Sequence, residues 1–114
     1  MTRRVVRALD LVDDERLIAE YRRRHASGAV WPEVLKFIRA SGIVSMEIWG
    51  VTNRLVMVME VTDDFPRAVA QSSRVQEWEQ LMSVYQRLIP NAPAGEKWAE
   101  CSRVFAIDAA DAFE

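Results

Sequence analysis

The sequence predicts a single α+β domain with a ferredoxin-like sandwich fold, in which an antiparallel sheet carries its helices on one face. Two observations favour this class. Segments typical of strands and helices follow one another in the order β, αα, β, β, α, β, which is the order of a ferredoxin-like domain. The chain of 114 residues is 50% hydrophobic and 28% charged, and a chain of this size and composition is expected to fold as one unit, residues 1–114.

The first two predicted elements are a strand and a helix. Residues 3–12 alternate between the two faces of a strand. Asp13 or Asp14 can cap the helix that follows, and Ser27 with Gly28 is expected to end it. The side chains that recur along this helix at three- and four-residue spacing are Leu17, Ile18, Tyr21 and His25.

A second helix and a hairpin are predicted next. Pro32 suits the first position of a helix, and Gly42 suits the position just after its last turn. Residues 43–49 and 54–62 are strand-like runs joined by residues 50–53, which predicts an antiparallel hairpin. Both faces of this hairpin are apolar, so we expect its second face to be buried in a homodimer or to line a pocket.

The last part of the chain is predicted to contain one more helical region and a closing strand. The two aspartates at 63–64 offer caps for a helix that Pro66 enters at its first turn and that resumes from Ser73. Residues 90–95 are rich in proline and glycine and are expected to form a loop. Residues 98–107 alternate again, which predicts the closing strand.

Composition and charge argue against several classes of partner and reaction. The net charge of −2 gives no field that would recruit nucleic acid or an anionic membrane. Cys101 is the single cysteine, so we expect no disulfide and a reducing, cytoplasmic location. No apolar run has the length of a membrane span, and there is no phosphate-binding loop, nucleophile elbow or paired-histidine metal motif. We therefore expect neither a metal nor another cofactor.

His25 and Tyr21 are the residues best suited to acid–base chemistry. His25 is the single histidine, and histidine exchanges protons efficiently near neutral pH. Tyr21 precedes it by four residues, which places both side chains on one face of a helix. Polar residues near a helix end are also common as surface or capping groups, and these two residues alone leave that interpretation open.

Four tryptophans are a high content for so short a chain. Core packing accounts for most buried tryptophans. An indole can also stack on the C–H face of a sugar ring, and Trp31 follows His25 across a short bend. The sequence leaves both interpretations of Trp31 open.

The segment from Tyr21 to His25, Tyr-Arg-Arg-Arg-His, followed by Trp31-Pro32-Glu33, resembles the signature of the L-rhamnose mutarotase family. Counterparts continue in order along nearly the whole chain, at Gly42, Asn53-Arg54-Leu55, Gln76-Glu77-Trp78, Met82, Pro90-Asn91 and Val104-Phe105. The resemblance implies a cytoplasmic, cofactor-free homodimer of ferredoxin-like subunits, a dimeric α/β barrel, that interconverts the anomers of an L-6-deoxyhexose.

The resemblance also implies roles for individual residues. The motif histidine, here His25, is the proton donor, and the motif tyrosine, here Tyr21, contacts the sugar. Trp78 matches the first member of an aromatic pair that holds the substrate, and Trp31 is a further candidate for sugar binding.

Three departures from the family pattern concern the walls of the predicted pocket. The connection between His25 and Trp31 is longer by about two residues, the second aromatic of the pair is replaced by Glu79, and a sugar-contacting tyrosine is replaced by Met46. Glu79 and Met46 are thus predicted substrate-binding positions. Because polar groups have moved, we expect L-fucose to be exchanged at least as well as L-rhamnose, with Glu79 contacting a hydroxyl.

Anomer exchange needs one proton delivered to the ring oxygen and another removed from the anomeric hydroxyl. The sequence favours His25 as the acid and leaves the base open between a water and Glu79, because a tyrosine such as Tyr21 has an ordinary pKa near 10. Two other functions remain possible for such a fold: a haem-handling protein or monooxygenase, and a sugar-binding module without catalysis.

Overall fold

The structure is a computed structural model that describes residues 1–107. Its elements in chain order are β1 (Thr2–Leu11), α1 (Glu15–Arg24), α2 (Pro32–Ala40), β2 (Ile43–Val51), β3 (Arg54–Thr62), α3 (Ser73–Ser83), β4 (Gln86–Arg87) and β5 (Ala99–Glu100). The sheet order is β2-β3-β1-β4, with β5 also paired to β1, and every pair is antiparallel. This is the predicted ferredoxin-like topology.

The helices cover one face of the sheet. Leu9 of β1 pairs with Leu55 of β3, and both side chains are buried on the covered face. Two apolar clusters form there. The first joins the helices to the sheet through Leu11, Tyr21, Val34, Leu55, Trp78, Met82 and Tyr85. The second lies along the strands and contains Val5, Met57, Met59 and Val61.

The other face of the sheet is partly apolar, and within residues 1–107 no helix packs against it. Trp49 and Val51 of β2 are each 64% exposed. Val56 and Val58 of β3 lie beside them and are partly buried. The hairpin therefore has apolar side chains on both faces, as its sequence predicts.

Helix α1 is shorter than predicted. The Asp14 carboxylate accepts a hydrogen bond from the Leu17 amide at 3.0 Å, which is the predicted N-cap. The helix ends at Arg24 with His25 as its C-cap, whereas Ser27 and Gly28 were expected to end it. Residues 25–30 instead form a series of turns and bends.

The predicted helical start at residues 63–64 is wrong. Asp64 accepts hydrogen bonds from the Thr62 hydroxyl at 2.6 Å and from Arg67 Nε at 2.9 Å, so its carboxylate is not used to cap a helix. Helix α3 begins only at Ser73, where the Ser72 hydroxyl accepts from the Val75 amide. Pro66 therefore lies in a connecting segment.

The closing strand is much shorter than residues 98–107. Only Ala99–Glu100 pairs with β1, followed by one further bond from the Cys101 amide to the Val6 carbonyl at 2.7 Å. Residues 100–105 and residues 3–6 of β1 together line a cavity of about 530 Å³. The chain thus runs beside β1 without the hydrogen bonds of a ladder, which alternation in the sequence does not reveal.

Candidate active site

Helix α1 brings Tyr21 and His25 together, as their spacing predicts. Their ring centroids are 4.1 Å apart, and the two planes are inclined by 31°. Tyr21 is 4% exposed and belongs to the first apolar cluster, while His25 is partly buried at the end of the helix. The pair therefore combines a firmly packed phenol with an imidazole that lies nearer to solvent.

The surroundings of His25 fix its tautomer. Its Nδ1 lies 2.8 Å from the backbone carbonyl oxygen of Tyr21. A carbonyl oxygen can only accept, so Nδ1 carries the hydrogen and the lone pair is on Nε2. Burial lowers the pKa of His25 below its usual value, and the bond to the carbonyl opposes this shift. Near neutral pH the imidazole is therefore uncharged, with Nε2 ready to accept a proton.

Tyr21 has the opposite character. Burial raises the pKa of its hydroxyl to about 12, with a further contribution from the negative charge of Glu79, while a hydrogen bond with the Gln86 side chain opposes the shift. At any physiological pH the phenol is thus protonated, and it can donate a hydrogen bond.

Tryptophans extend the site away from His25. The Trp78 ring lies edge-on to His25 with centroids 5.5 Å apart, and Trp31 lies edge-on to Trp78 at 5.1 Å. The guanidinium of Arg74 sits 3.6 Å from the centre of the Trp31 ring, within the range of a cation–π contact. Trp31 and Trp78, both singled out in the sequence, are therefore brought to the same place as His25.

A hydrogen-bonded group behind Tyr21 is not apparent in the sequence. The buried Tyr85 ring lies edge-on to Tyr21 at 6.1 Å. Its hydroxyl accepts from Arg24 Nε at 2.8 Å and donates to Glu20 Oε2 at 3.3 Å. These two bonds attach the Tyr85 hydroxyl to α1, the helix that carries Tyr21.

A cavity of about 200 Å³ opens beside the pair. It is lined by Tyr21, Arg22, His25, Ile48, Gly50 and Leu55. A Cβ atom on Gly50 would lie 3.0 Å from Arg22 Nη2 and 3.5 Å from Leu55 Cδ2, so the absence of a side chain at Gly50 keeps this space open. Ile48 and Gly50 were not predicted from the sequence, although their two-residue spacing along β2 places both on the covered face.

The two substituted positions differ in their placement. Glu79 is exposed, and its Oε2 lies 3.9 Å from Nζ of Lys97. Its negative charge contributes to the raised pKa of Tyr21. Met46 packs with the second apolar cluster and is absent from the lining of the cavity beside His25. Its side chain nevertheless shares the covered face of β2 with Ile48.

Comparison with known proteins identifies the family. The family model for L-rhamnose mutarotase matches residues 4–107. The chain belongs to the L-rhamnose mutarotase family. A mutarotase is an isomerase, and members of this family interconvert the anomers of L-sugars. The family match therefore decides in favour of the mutarotase over the haem-handling protein, the monooxygenase and the non-catalytic binding module.

Individual relatives of the chain include two proteins named as mutarotases. An L-fucose mutarotase of Xanthomonas campestris pv. campestris is 42% identical over 112 residues, covering 94% of this chain and 90% of the relative. A UPF0734 protein of Dictyostelium discoideum is 34% identical over 110 residues, covering 89% and 86%. The crystal structure of an L-rhamnose mutarotase from Formosa agariphila superposes with a TM-score of 0.66 at 22% identity, covering 93% of this chain and 99% of that one. This superposition confirms the predicted fold.

Two further features of the mutarotase bear on the expectations from composition. Within the part of the chain that the structure describes, no helix is long and apolar enough to cross a membrane. In the same residues, no three histidine, cysteine, aspartate or glutamate side chains converge as ligands of a metal ion would.

Proposed function

We propose that this mutarotase interconverts the α and β anomers of an L-6-deoxyhexose at the Tyr21–His25 pair. The observation that carries the proposal is the complementary state of the two groups. His25 is neutral with a free Nε2, and Tyr21 is protonated with a pKa of about 12. One can accept a proton while the other donates, which is what ring opening requires.

The proposed reaction starts from the ring form of the sugar. Nε2 of His25 takes the proton of the anomeric hydroxyl as the bond between C1 and the ring oxygen breaks, and the Tyr21 hydroxyl gives its proton to that oxygen. The products are the open-chain aldehyde, an imidazolium and a phenolate. A phenol with a raised pKa is well matched to the weakly acidic alcohol that forms, because proton transfer between groups of similar pKa is close to balanced.

Ring closure reverses these transfers. After rotation about the C1–C2 bond, the phenolate of Tyr21 takes back the proton from the C5 hydroxyl as this oxygen attacks C1. The imidazolium of His25 then protonates the former aldehyde oxygen. His25 is therefore the base during opening and the acid during closing, which includes the donor role that the family resemblance implies.

L-fucose is the proposed substrate. The 42% identity to an L-fucose mutarotase over nearly the full length of both chains supports this assignment. Glu79 supports it too, because a carboxylate next to Trp78 in the chain offers an acceptor for a hydroxyl where the family pattern has an aromatic ring. Trp31 and Trp78 are the proposed apolar plates, and Met46 is the proposed contact on the strand side.

The proposed function is tested by NMR saturation transfer between the α and β anomeric protons of L-fucose and of L-rhamnose, with and without protein. We expect the protein to accelerate transfer for both sugars, and for L-fucose at least as strongly. Binding of sugar without acceleration would refute the catalytic proposal.

We further propose that the protein acts in the cytoplasm as a homodimer. The exposed apolar residues Trp49 and Val51 support the dimer, because a large apolar patch on one sheet face is typical of a subunit interface. Light scattering at micromolar concentration should give twice the mass of the chain. Trp49→Glu should lower this mass, and Leu35→Glu, on exposed α2, should not. A monomeric wild type would refute the dimer.

A further inference from the structure

The side chain of Arg22 has no partner within the described chain that accounts for its position. Arg22 lies in the last turn of α1. Two residues further along the helix, Arg24 donates a hydrogen bond to the Tyr85 hydroxyl at 2.8 Å. The Arg22 guanidinium, in contrast, makes no hydrogen bond and no ion pair with any group in residues 1–107. Its N–H donors are therefore available to a ligand.

The Arg22 guanidinium nevertheless has a defined place in the structure. It lines the same cavity of about 200 Å³ as Tyr21 and His25. Its Nη2 atom lies so close to β2 that a Cβ atom on Gly50 would be 3.0 Å from it. The side chain thus reaches from α1 to β2 and forms part of the cavity wall beside the proposed catalytic pair.

The wall of this cavity has an apolar part and a polar part. Ile48 and Leu55 supply apolar side chains from the sheet. Arg22 is the one charged side chain among the six residues that line the cavity, and no carboxylate in this lining neutralises it. The two other polar side chains, Tyr21 and His25, take part in the proposed proton transfers. Arg22 is therefore the lining group suited to bind a hydroxyl that does not react.

We propose that Arg22 is a substrate-binding residue whose guanidinium donates hydrogen bonds to the C2 hydroxyl of the sugar and thereby contributes to the choice among L-6-deoxyhexoses. This inference rests on the proposed function, which places His25 at the C1 hydroxyl and Tyr21 at the ring oxygen. On one side of that reactive edge the sugar carries the C2 hydroxyl, and on the other it carries the methyl group on C5. The hydroxyl suits Arg22, and the methyl group suits the apolar wall.

The C2 hydroxyl is one of the groups that distinguish the two candidate sugars. It is equatorial in L-fucose and axial in L-rhamnose. A guanidinium is planar and directs its donors along fixed lines, and contact with the backbone at Gly50 leaves Arg22 little room to move towards β2. A donor restrained in this way bonds one orientation of the hydroxyl better than the other, so Arg22 acts on specificity as well as on affinity.

The test compares Arg22→Met with the matched control Arg39→Met. Arg39 is likewise an exposed arginine in the last turn of its helix, α2. Exchange is measured for L-fucose and for its 2-deoxy analogue. We expect Arg22→Met to lower kcat/KM for L-fucose about tenfold, mainly through KM, and to change that for the analogue less than twofold. Arg39→Met should change neither value. Equal losses for both sugars, or no loss for either, would overturn the assignment.

A second variant moves the guanidinium and leaves its charge in place. Gly50 does not have a positive φ, so its backbone tolerates alanine, and the new Cβ would displace Nη2 of Arg22. Gly50→Ala should raise KM for L-fucose about threefold, because a displaced donor bonds less well. In the Arg22→Met background the same change should alter KM less than twofold, since both residues act through one contact. Equal effects in the two backgrounds would contradict the proposed action of Arg22 from this position.

A binding measurement separates this inference from the proposed function. Sugar affinity is titrated by ligand-observed NMR for the same proteins and the same two sugars, and we expect the same contrast between L-fucose and its 2-deoxy analogue. If the wild type shows this contrast in binding but accelerates no exchange, the proposed function fails and the Arg22 assignment stands. If exchange is accelerated but Arg22→Met binds both sugars as the wild type does, the Arg22 assignment fails and the proposed function stands.

Discussion

Replacing His25 by asparagine tests the acid–base assignment most directly. In the proposed reaction His25 has two separate functions: Nδ1–H bonds the Tyr21 carbonyl, and Nε2 accepts the proton of the anomeric hydroxyl. Asparagine retains a donor for the carbonyl at the C-cap of α1 but has no basic nitrogen. The loss of activity in His25→Asn should therefore reflect the missing base and not a disturbed C-terminus of α1. Removing a general base lowers rates by about 10²- to 10⁴-fold, equivalent to ~3–5 kcal/mol of transition-state stabilisation.

The pH dependence provides a second readout of the same residue. Because burial lowers the pKa of His25 below 6.5, more than about nine-tenths of the molecules hold a neutral imidazole at pH 7.5. We expect kcat/KM to be constant from there to mildly alkaline pH, and to fall as pH drops through the His25 pKa, about tenfold for each further unit. The His25→Asn variant should have lost this acid limb.

The assay is NMR saturation transfer on L-fucose, with the spontaneous rate subtracted at each pH. Arg23→Asn, on the exposed side of α1, is the matched control and should behave as the wild type. A folded His25→Asn protein with the wild-type rate would refute the assignment. A wild-type profile that rises as pH falls below neutrality would show that the imidazolium, and not the neutral ring, performs the opening step.

Three other outcomes are expected. Tyr21→Phe should lower the exchange rate by less than His25→Asn does, because a water can occupy the position of the lost donor. In the wild type, the Tyr21 pKa of about 12 predicts that activity is not lost through ionisation of the phenol up to pH 10. Such a loss would contradict the role of Tyr21. Glu79→Trp should shift the preference from L-fucose towards L-rhamnose by about tenfold, which is the scale of one hydrogen bond to a charged group. An unchanged ratio of the exchange rates for the two sugars would show that Glu79 has no contact with the sugar. Treatment with EDTA should leave activity unchanged, and a loss of activity that zinc restores would refute the metal-free reaction.

The sequence was sufficient to predict the features that depend on local periodicity. The alternation of β1 and of the hairpin strands, and the four-residue spacing of Tyr21 and His25, each identify a face of one element. The pairing of those elements then follows from the order of a ferredoxin-like chain. This is why Tyr21 and His25 were expected on one face of α1, whereas the position of Trp31 was left open.

The features that depend on competition between partners were not predicted. The sequence places Asp64 where it could cap a helix, but in the structure its carboxylate accepts hydrogen bonds from Thr62 and Arg67. Alternation in residues 101–107 fits a strand, but these residues form no strand in the structure, where the Cys101 amide makes one bond to β1. Strand β4, with Gln86 and Arg87, was not predicted, because two residues are too few to show an alternating pattern in the sequence.

The short pairing of β5 has a consequence for how the chain behaves at high concentration. Along its outer edge β1 is bonded only from Val6 to Leu11, so the edge near residues 2–5 presents free backbone donors and acceptors within the described chain. Open edges of this kind can join strands of other molecules and start fibrous aggregates, and charged side chains are a common safeguard against it. Arg3 and Arg4 stand on this stretch, both exposed. Two exposed arginines thus stand where a strand of another molecule would have to pair with this edge.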